Sequence, residues 1–148
     1  MATTRHHRTA KSQYPRRGEV YLTALDPTVG RGIRKTRPAP VIQNDISNRL
    51  SDITIVAPIT STVRFPLNPV HMLLPADKET GIVVTSGALL NQIRAVDRVR
   101  LIKRLGWVND ETMELVDEAI RVSLGLDRPV RCAWWTAVWL ANPAIYAK

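Results

Sequence analysis

The stretch Ile53-Thr54-Ile55-Val56-Ala57-Pro58-Ile59-Thr60-Ser61 decides the fold. Ile53, Ile55, Ala57 and Ile59 recur with period two, Thr54 and Val56 fall between them, and β-branched residues dominate. A helix needs apolar residues three and four apart, so this run reads as a strand. Upstream, after Gly18, Val20, Leu22 and Ala24 alternate with Tyr21 and Thr23 until Asp26-Pro27 stops the pattern, and Pro40 to Asn44 is a second, short apolar run. Downstream, Val70, Met72 and Leu74 alternate with His71 and Leu73 between Pro69 and Pro75; Gly81 to Val84 and Gln92 to Val96 are further strand candidates. Five or six short, closely spaced strands predict a small barrel or sandwich and not a parallel sheet with crossover helices.

From Asn109 the period changes. Met113, Val116, Ala119 or Ile120, and Leu124 share one face, with Glu111, Glu114, Asp117, Glu118 and Arg121 largely on the other, the pattern of an amphipathic helix packing on the sheet. Asn109 or Asp110 can cap its start, the first-turn acids suit the helix dipole, and Gly125 stands where a terminating glycine belongs.

The chain of 148 residues is one domain's worth, too short for two ordinary cores. With 45% hydrophobic and 23% charged residues it has a globular composition, and no apolar run approaches the ~20 residues of a membrane-spanning helix. The single cysteine, Cys132, excludes an internal disulfide framework and a cysteine-based zinc site, so a reducing compartment, the cytoplasm, is the expected location.

The net charge of +8 is unevenly placed. Residues 1–17 carry five positive charges and no acid; residues 18–126 are balanced to +1. Within that middle, Arg31, Arg34, Lys35 and Arg37 fall inside seven residues, and Arg94 to Arg104 adds five positives against Asp97. Solvated basic loops would account for these patches as well as a polyanion-binding face would. Residues 1–15 lack the apolar segment of a secretory signal and read as a disordered basic arm, in which His6 and His7 are solvated. Residues 127–148 form a Trp-rich extension holding Trp134, Trp135 and Trp139; dispensability for catalysis is expected of it. No internal repeat or low-complexity tract is present.

Asp26-Pro27-Thr28-Val29-Gly30, the basic loop and Thr36-Arg37-Pro38 lead into Val41-Ile42-Gln43-Asn44-Asp45, then Ala57-Pro58-Ile59-Thr60-Ser61 and Pro69-Val70-His71. Ser86 follows, then Asn91-Gln92-Ile93-Arg94-Ala95-Val96-Asp97 and the helix Met113 to Leu126. In this order, over residues 16–126, the chain resembles the MazF/PemK toxins. The resemblance implies a homodimer of small SH3-like β-barrels, mainly β with a C-terminal helix, acting as the toxin of a type II toxin–antitoxin pair. The implied activity is a ribosome-independent, sequence-specific endoribonuclease that needs no metal and no cofactor. It cuts single-stranded mRNA by attack of the ribose 2′-hydroxyl on the adjacent phosphate, leaving a cyclic phosphate and a free 5′-hydroxyl. The implied partners are RNA and a cognate antitoxin, with DNA binding in the antitoxin's company, and no membrane. Carried over by position, the catalytic arginine is Arg37 and the catalytic threonine Thr60.

The chemistry suits these residue types. In-line attack needs a proton taken from the 2′-hydroxyl, a proton supplied to the leaving oxygen, and stabilisation of charge on the non-bridging oxygens. Arg37 fits the last role, because a planar guanidinium grips two phosphate oxygens but is a poor general base. The Thr60 hydroxyl can donate to a non-bridging oxygen. A surface ion pair for Arg37 and a strand-end cap for Thr60 are the ordinary alternatives. His71 is a candidate acid or base, since imidazole exchanges protons near neutrality; a half-buried histidine tied to backbone is the plainer reading. Asn91 stands where some relatives carry a catalytic acid, so it can bind but not act as a carboxylate. Arg31, Arg34, Lys35, Ser61, Asn91, Gln92 and Arg94 are candidate RNA contacts, the loop being more basic than in many relatives. The competing function is a non-enzymatic toxin or binding barrel, such as a gyrase poison or a degenerate relative, which loss of Arg37 or Thr60 would favour. A DNA-binding regulator finds no helix-turn-helix pattern.

Overall fold

Eight strands and two helices follow one another in the computed structural model, which describes residues 13–65 and 67–126. The order is β1 (Glu19–Ala24), β2 (Thr36–Pro40), α1 (Asp45–Leu50), β3 (Ile53–Val56), β4 (Ile59–Thr60), β5 (His71–Leu74), β6 (Ser86–Leu89), β7 (Arg94–Asp97), a 3-10 turn (Arg98–Arg100), β8 (Leu101–Trp107) and α2 (Asp110–Leu124). The expectations for residues 1–12 of the basic arm and for the extension 127–148 lie outside the described residues; Pro15, at the arm's proposed end, is buried. Among the described residues no helix is long and apolar enough to cross a membrane.

All strand pairs are antiparallel, in three sheets ordered β2-β1-β8, β3-β7 and β4-β6-β5. The chain is mainly β with a C-terminal helix, as expected, but these sheets do not close into one hydrogen-bonded barrel. Prolines account for the seam between β2 and β4. The Pro40 carbonyl accepts the Ala57 N–H at 3.0 Å beside an isolated bridge between Val41 and Val56. Pro38, two residues earlier on β2, faces the same way, and neither proline has an N–H to continue the ladder toward β4.

Several strand expectations shift in detail. On β1 the buried residues are Glu19, Val20 and Thr23, and not one alternating face, because two register shifts against β8 change its phase. The run from Ile53 to Ile59 is two strands split at Ala57-Pro58, the first pairing with β7 and the second with β6. The second strand lies at Thr36–Pro40 and not at Pro40 to Asn44. Asn44 instead caps α1, its side chain accepting the Ser47 N–H at 2.9 Å. Gly81 to Val84 forms only the isolated bridge of Ile82 with Asp77.

Two apolar clusters hold these pieces together. The larger joins Val20, Ile59, Met72, Leu74, Ala88 and Leu90 from the strand region to Met113, Val116 and Ala119 of α2. The smaller packs Leu25, Ala39, Val41, Val56 and Val96, with Ile33 against it. The α2 ends match their sequence signals. Asn109 accepts the Thr112 N–H at 2.8 Å, and Gly125, at φ +65°, donates to the Arg121 and Val122 carbonyls. Leu124, expected on the packed face, is 54% exposed in the last turn.

Candidate functional site

The basic loop, residues 25–35, leaves β1 and returns to β2. It closes on itself: Leu25 N–H donates to the Lys35 carbonyl at 3.1 Å, and Lys35 N–H to Asp26 Oδ2 at 3.0 Å. Lys35 has φ +72°, a conformation disfavoured for a side-chain-bearing residue, which the two bonds fix in place. Thr28 Oγ1 donates to the Leu25 carbonyl at 2.8 Å. Arg31, Arg34 and Lys35 are exposed, and among the described residues no carboxylate forms an ion pair with them.

Arg37 lies on β2, half-buried, with its Nε donating to the Arg34 carbonyl at 3.0 Å. That bond uses one edge of the guanidinium and leaves the remaining N–H groups for an anion. Thr60 ends β4, also half-buried. The antiparallel bridge of Val41 with Val56 relates the two. Four residues back from Val41 is Arg37, four residues on from Val56 is Thr60, and β2 and β4 are in contact. Counted outward from that bridge, Arg37 and Thr60 lie on the facing strands β2 and β4 that border the seam.

On its other side Thr60 is paired with Gly87 of β6, and the next strand brings Leu73 opposite Gly87 and His71 opposite Leu89. By strand alternation Thr60, Gly87, Leu89 and His71 share the face away from Ile59, Ala88 and Met72. Because Gly87 lacks a side chain, that face is hollowed into a cleft of about 260 Å³, walled by Thr60, Arg64, Leu67, Asn68, His71 and Leu89. His71 therefore shares a cleft with Thr60, as its strand position required. Arg64 and Asn68 were not singled out in the sequence; their signal was a loop that starts at Thr60 and returns at His71. Ser61 is exposed beside Thr60, and Asn91 is exposed in the turn after β6.

Gln92 and Arg94, expected as RNA contacts, direct their polar ends into the basic loop. Gln92 Oε1 accepts the Ile33 N–H at 2.9 Å. Arg94 Nη1 donates to Thr28 Oγ1 at 3.1 Å and to the Leu25 carbonyl at 3.4 Å. Among the described residues no three His, Cys, Asp or Glu side chains gather as a metal site would require.

Comparison with known proteins gives the family and the fold. Residues 16–124 match the family described as PemK-like, MazF-like toxin of type II toxin-antitoxin system. The chain is 43% identical over 111 residues to Endoribonuclease EndoA of Bacillus subtilis (strain 168), covering 75% of this chain and 95% of that protein. Among solved structures it resembles MazF from Deinococcus radiodurans, with a TM-score of 0.65 and 23% identity over 77% of this chain and 99% of that one. A mycobacterial endoribonuclease in complex with its cognate antitoxin matches at a TM-score of 0.63 and 25% identity, over 78% of this chain and 99% of that one. Family match, identity and fold together show that this chain belongs to the PemK-like, MazF-like toxins of type II toxin–antitoxin systems and is a homologue of an endoribonuclease.

Proposed function

We propose that the protein is a metal-independent, sequence-specific endoribonuclease that cuts single-stranded RNA between Arg37 and Thr60. The observation that supports this reading is that Arg37 and Thr60 lie on the neighbouring strands β2 and β4, beside a loop of cations without ion pairs among the described residues. The 2′-oxygen attacks phosphorus, its proton passes to a base, the bond from phosphorus to the 5′-oxygen breaks, and that oxygen gains a proton. The products are a 2′,3′-cyclic phosphate and a 5′-hydroxyl. Arg37 stabilises the charge growing on the non-bridging oxygens, with the Thr60 hydroxyl as a second donor. His71, in the same cleft as Thr60, is positioned to exchange a proton with the reacting ribose phosphate.

Arg31, Arg34 and Lys35 neutralise flanking phosphates, while Ser61 and Asn91 supply neutral hydrogen bonds at the rim. Single strands are the substrate because an unpaired backbone can enter a narrow seam that an A-form duplex cannot. The working form is a cytoplasmic homodimer, and an acidic antitoxin segment competes for the basic loop. Incubation of the full chain with a long defined RNA, followed by mapping of new 5′ ends, tests the reading. Cleavage at a recurring short sequence supports it; intact RNA at high enzyme concentration overturns it in favour of a non-enzymatic toxin.

A further inference from the structure

Gln92 and Arg94 sit on the turn and strand that follow β6, far in sequence from the basic loop, yet their polar atoms grip it. The Ile33 N–H that Gln92 holds lies one residue before the Arg34 carbonyl that receives Arg37 Nε. A continuous chain of contacts therefore runs from Gln92 through Ile33 and Arg34 to the Arg37 guanidinium. Arg94 fixes the other limb of the loop through Thr28 and the Leu25 carbonyl. Gly32 adds closeness: a Cβ at this position would lie 3.3 Å from Arg94 Nη2 and 3.1 Å from Thr28 Cγ2. Arg100 secures the loop's start through the Asp26 carbonyl.

We infer that Gln92 and Arg94 form a latch on the basic loop and act as positioning residues that orient Arg37, and not as groups that touch RNA. The inference rests on the reading of Arg37 as the catalytic arginine. A guanidinium turned by a displaced Arg34 carbonyl still attracts phosphate but no longer meets the transition-state oxygens, so the latch governs kcat more than KM. The loop's own bonds, Lys35 N–H to Asp26 and Thr28 Oγ1 to the Leu25 and Ile33 carbonyls, close its two limbs, and the Gln92 bond adds the hold on the Ile33 N–H itself.

Gln92→Met keeps the length of the side chain and removes the acceptor. In the full chain the Ile33 amide is expected to exchange with solvent about tenfold faster or more. With saturating RNA, kcat is expected to fall about tenfold to a hundredfold, with KM within about twofold. Gln92→Glu, which restores an acceptor oxygen, returns both properties toward wild type. Should Gln92→Met fold poorly, Arg94→Lys provides the same kcat-against-KM split, because it keeps the charge but cannot span Thr28 and Leu25. A raised KM with kcat retained, or unchanged Ile33 exchange, overturns the latch. Failure of the wild-type chain to cut RNA overturns the ribonuclease reading instead, and Ile33 exchange then decides the latch by itself.

Discussion

Thr60 Oγ1 accepts the backbone N–H of Thr62 at 3.2 Å. With one lone pair so engaged, the hydroxyl proton is free to act as a donor. Thr60→Val preserves the shape and removes that donor, so cleavage is expected to fall about a hundredfold or more. Thr60→Ser keeps the hydroxyl and should retain activity within about tenfold. Single-turnover rates on one RNA substrate check both, with circular dichroism confirming that the variants are folded.

Arg31, Arg34 and Lys35 are exposed cations on the loop. If each neutralises one phosphate, replacing it by Gln lowers the slope of log affinity against log salt by about 0.7, the single-strand value per contact. RNA binding to a non-cleavable substrate, carrying 2′-deoxyribose at the scissile position, measures this over a salt series. Sequence preference should hardly change, since phosphate contacts carry no base information.

The Tyr21 phenol donates to Glu19 Oε2 at 2.9 Å, and Arg104 Nε meets the other oxygen of that carboxylate at 2.7 Å. Burial first, then the Glu19 charge and hydrogen bond, push the Tyr21 pKa well above its ordinary value. The neutral phenol is thus favoured in the fold. Its contribution to stability is complete below pH about 10, where the unfolded chain also keeps the proton, and is lost as pH rises beyond that toward the folded value. Tyr21→Phe should cost about 1 kcal/mol at neutral pH and flatten the alkaline fall in stability. Urea unfolding at pH 7 and above pH 10 compares the two proteins.

Gly106 of β8 passes against the loop after β5. A Cβ there would fall 2.0 Å from the Glu79 carbonyl oxygen and 2.4 Å from the Thr80 carbonyl carbon, both backbone. Neither can step aside as a side-chain tip can. Gly106→Ala is expected to cost about 1–3 kcal/mol, as overpacking does. A thermal or urea unfolding midpoint indistinguishable from wild type would show that the 77–82 loop moves freely.

Legibility in the sequence varied with how local the signal was. The α2 helix was readable to its caps because Asn109, the acidic first turn and Gly125 act within a few residues of each other. The strand character of the third run was readable because alternation is a property of consecutive residues. Its split at Ala57-Pro58 and the burial of Thr54 and Val56 in place of Ile53 were not readable. β8 was missed: Ile102, Lys103 and Arg104 are exposed on an outer strand, so its residues read as a charge patch and not as alternation. β6, Ser-Gly-Ala-Leu, is buried throughout and carries small residues of low strand preference. At the site, Arg37 and Thr60 were proposed through motif resemblance, and the structure puts them on the neighbouring strands β2 and β4. The contacts of Gln92 and Arg94 with Ile33 and Thr28 were not legible, because those partners lie some sixty residues away. A cation or amide in a motif says nothing of which way it turns.

The central pairing of Arg37 with Thr60 is tested most directly by cutting a long, unpaired RNA in excess EDTA with the wild-type chain and with Arg37→Ala, and analysing the ends. The expected result is wild-type cleavage without metal, products bearing a 5′-hydroxyl and a 2′,3′-cyclic phosphate, and a loss of about a hundredfold to a thousandfold in Arg37→Ala. Cleavage that appears only on adding a divalent metal, products with a 5′-phosphate, or undiminished cutting by Arg37→Ala would contradict it.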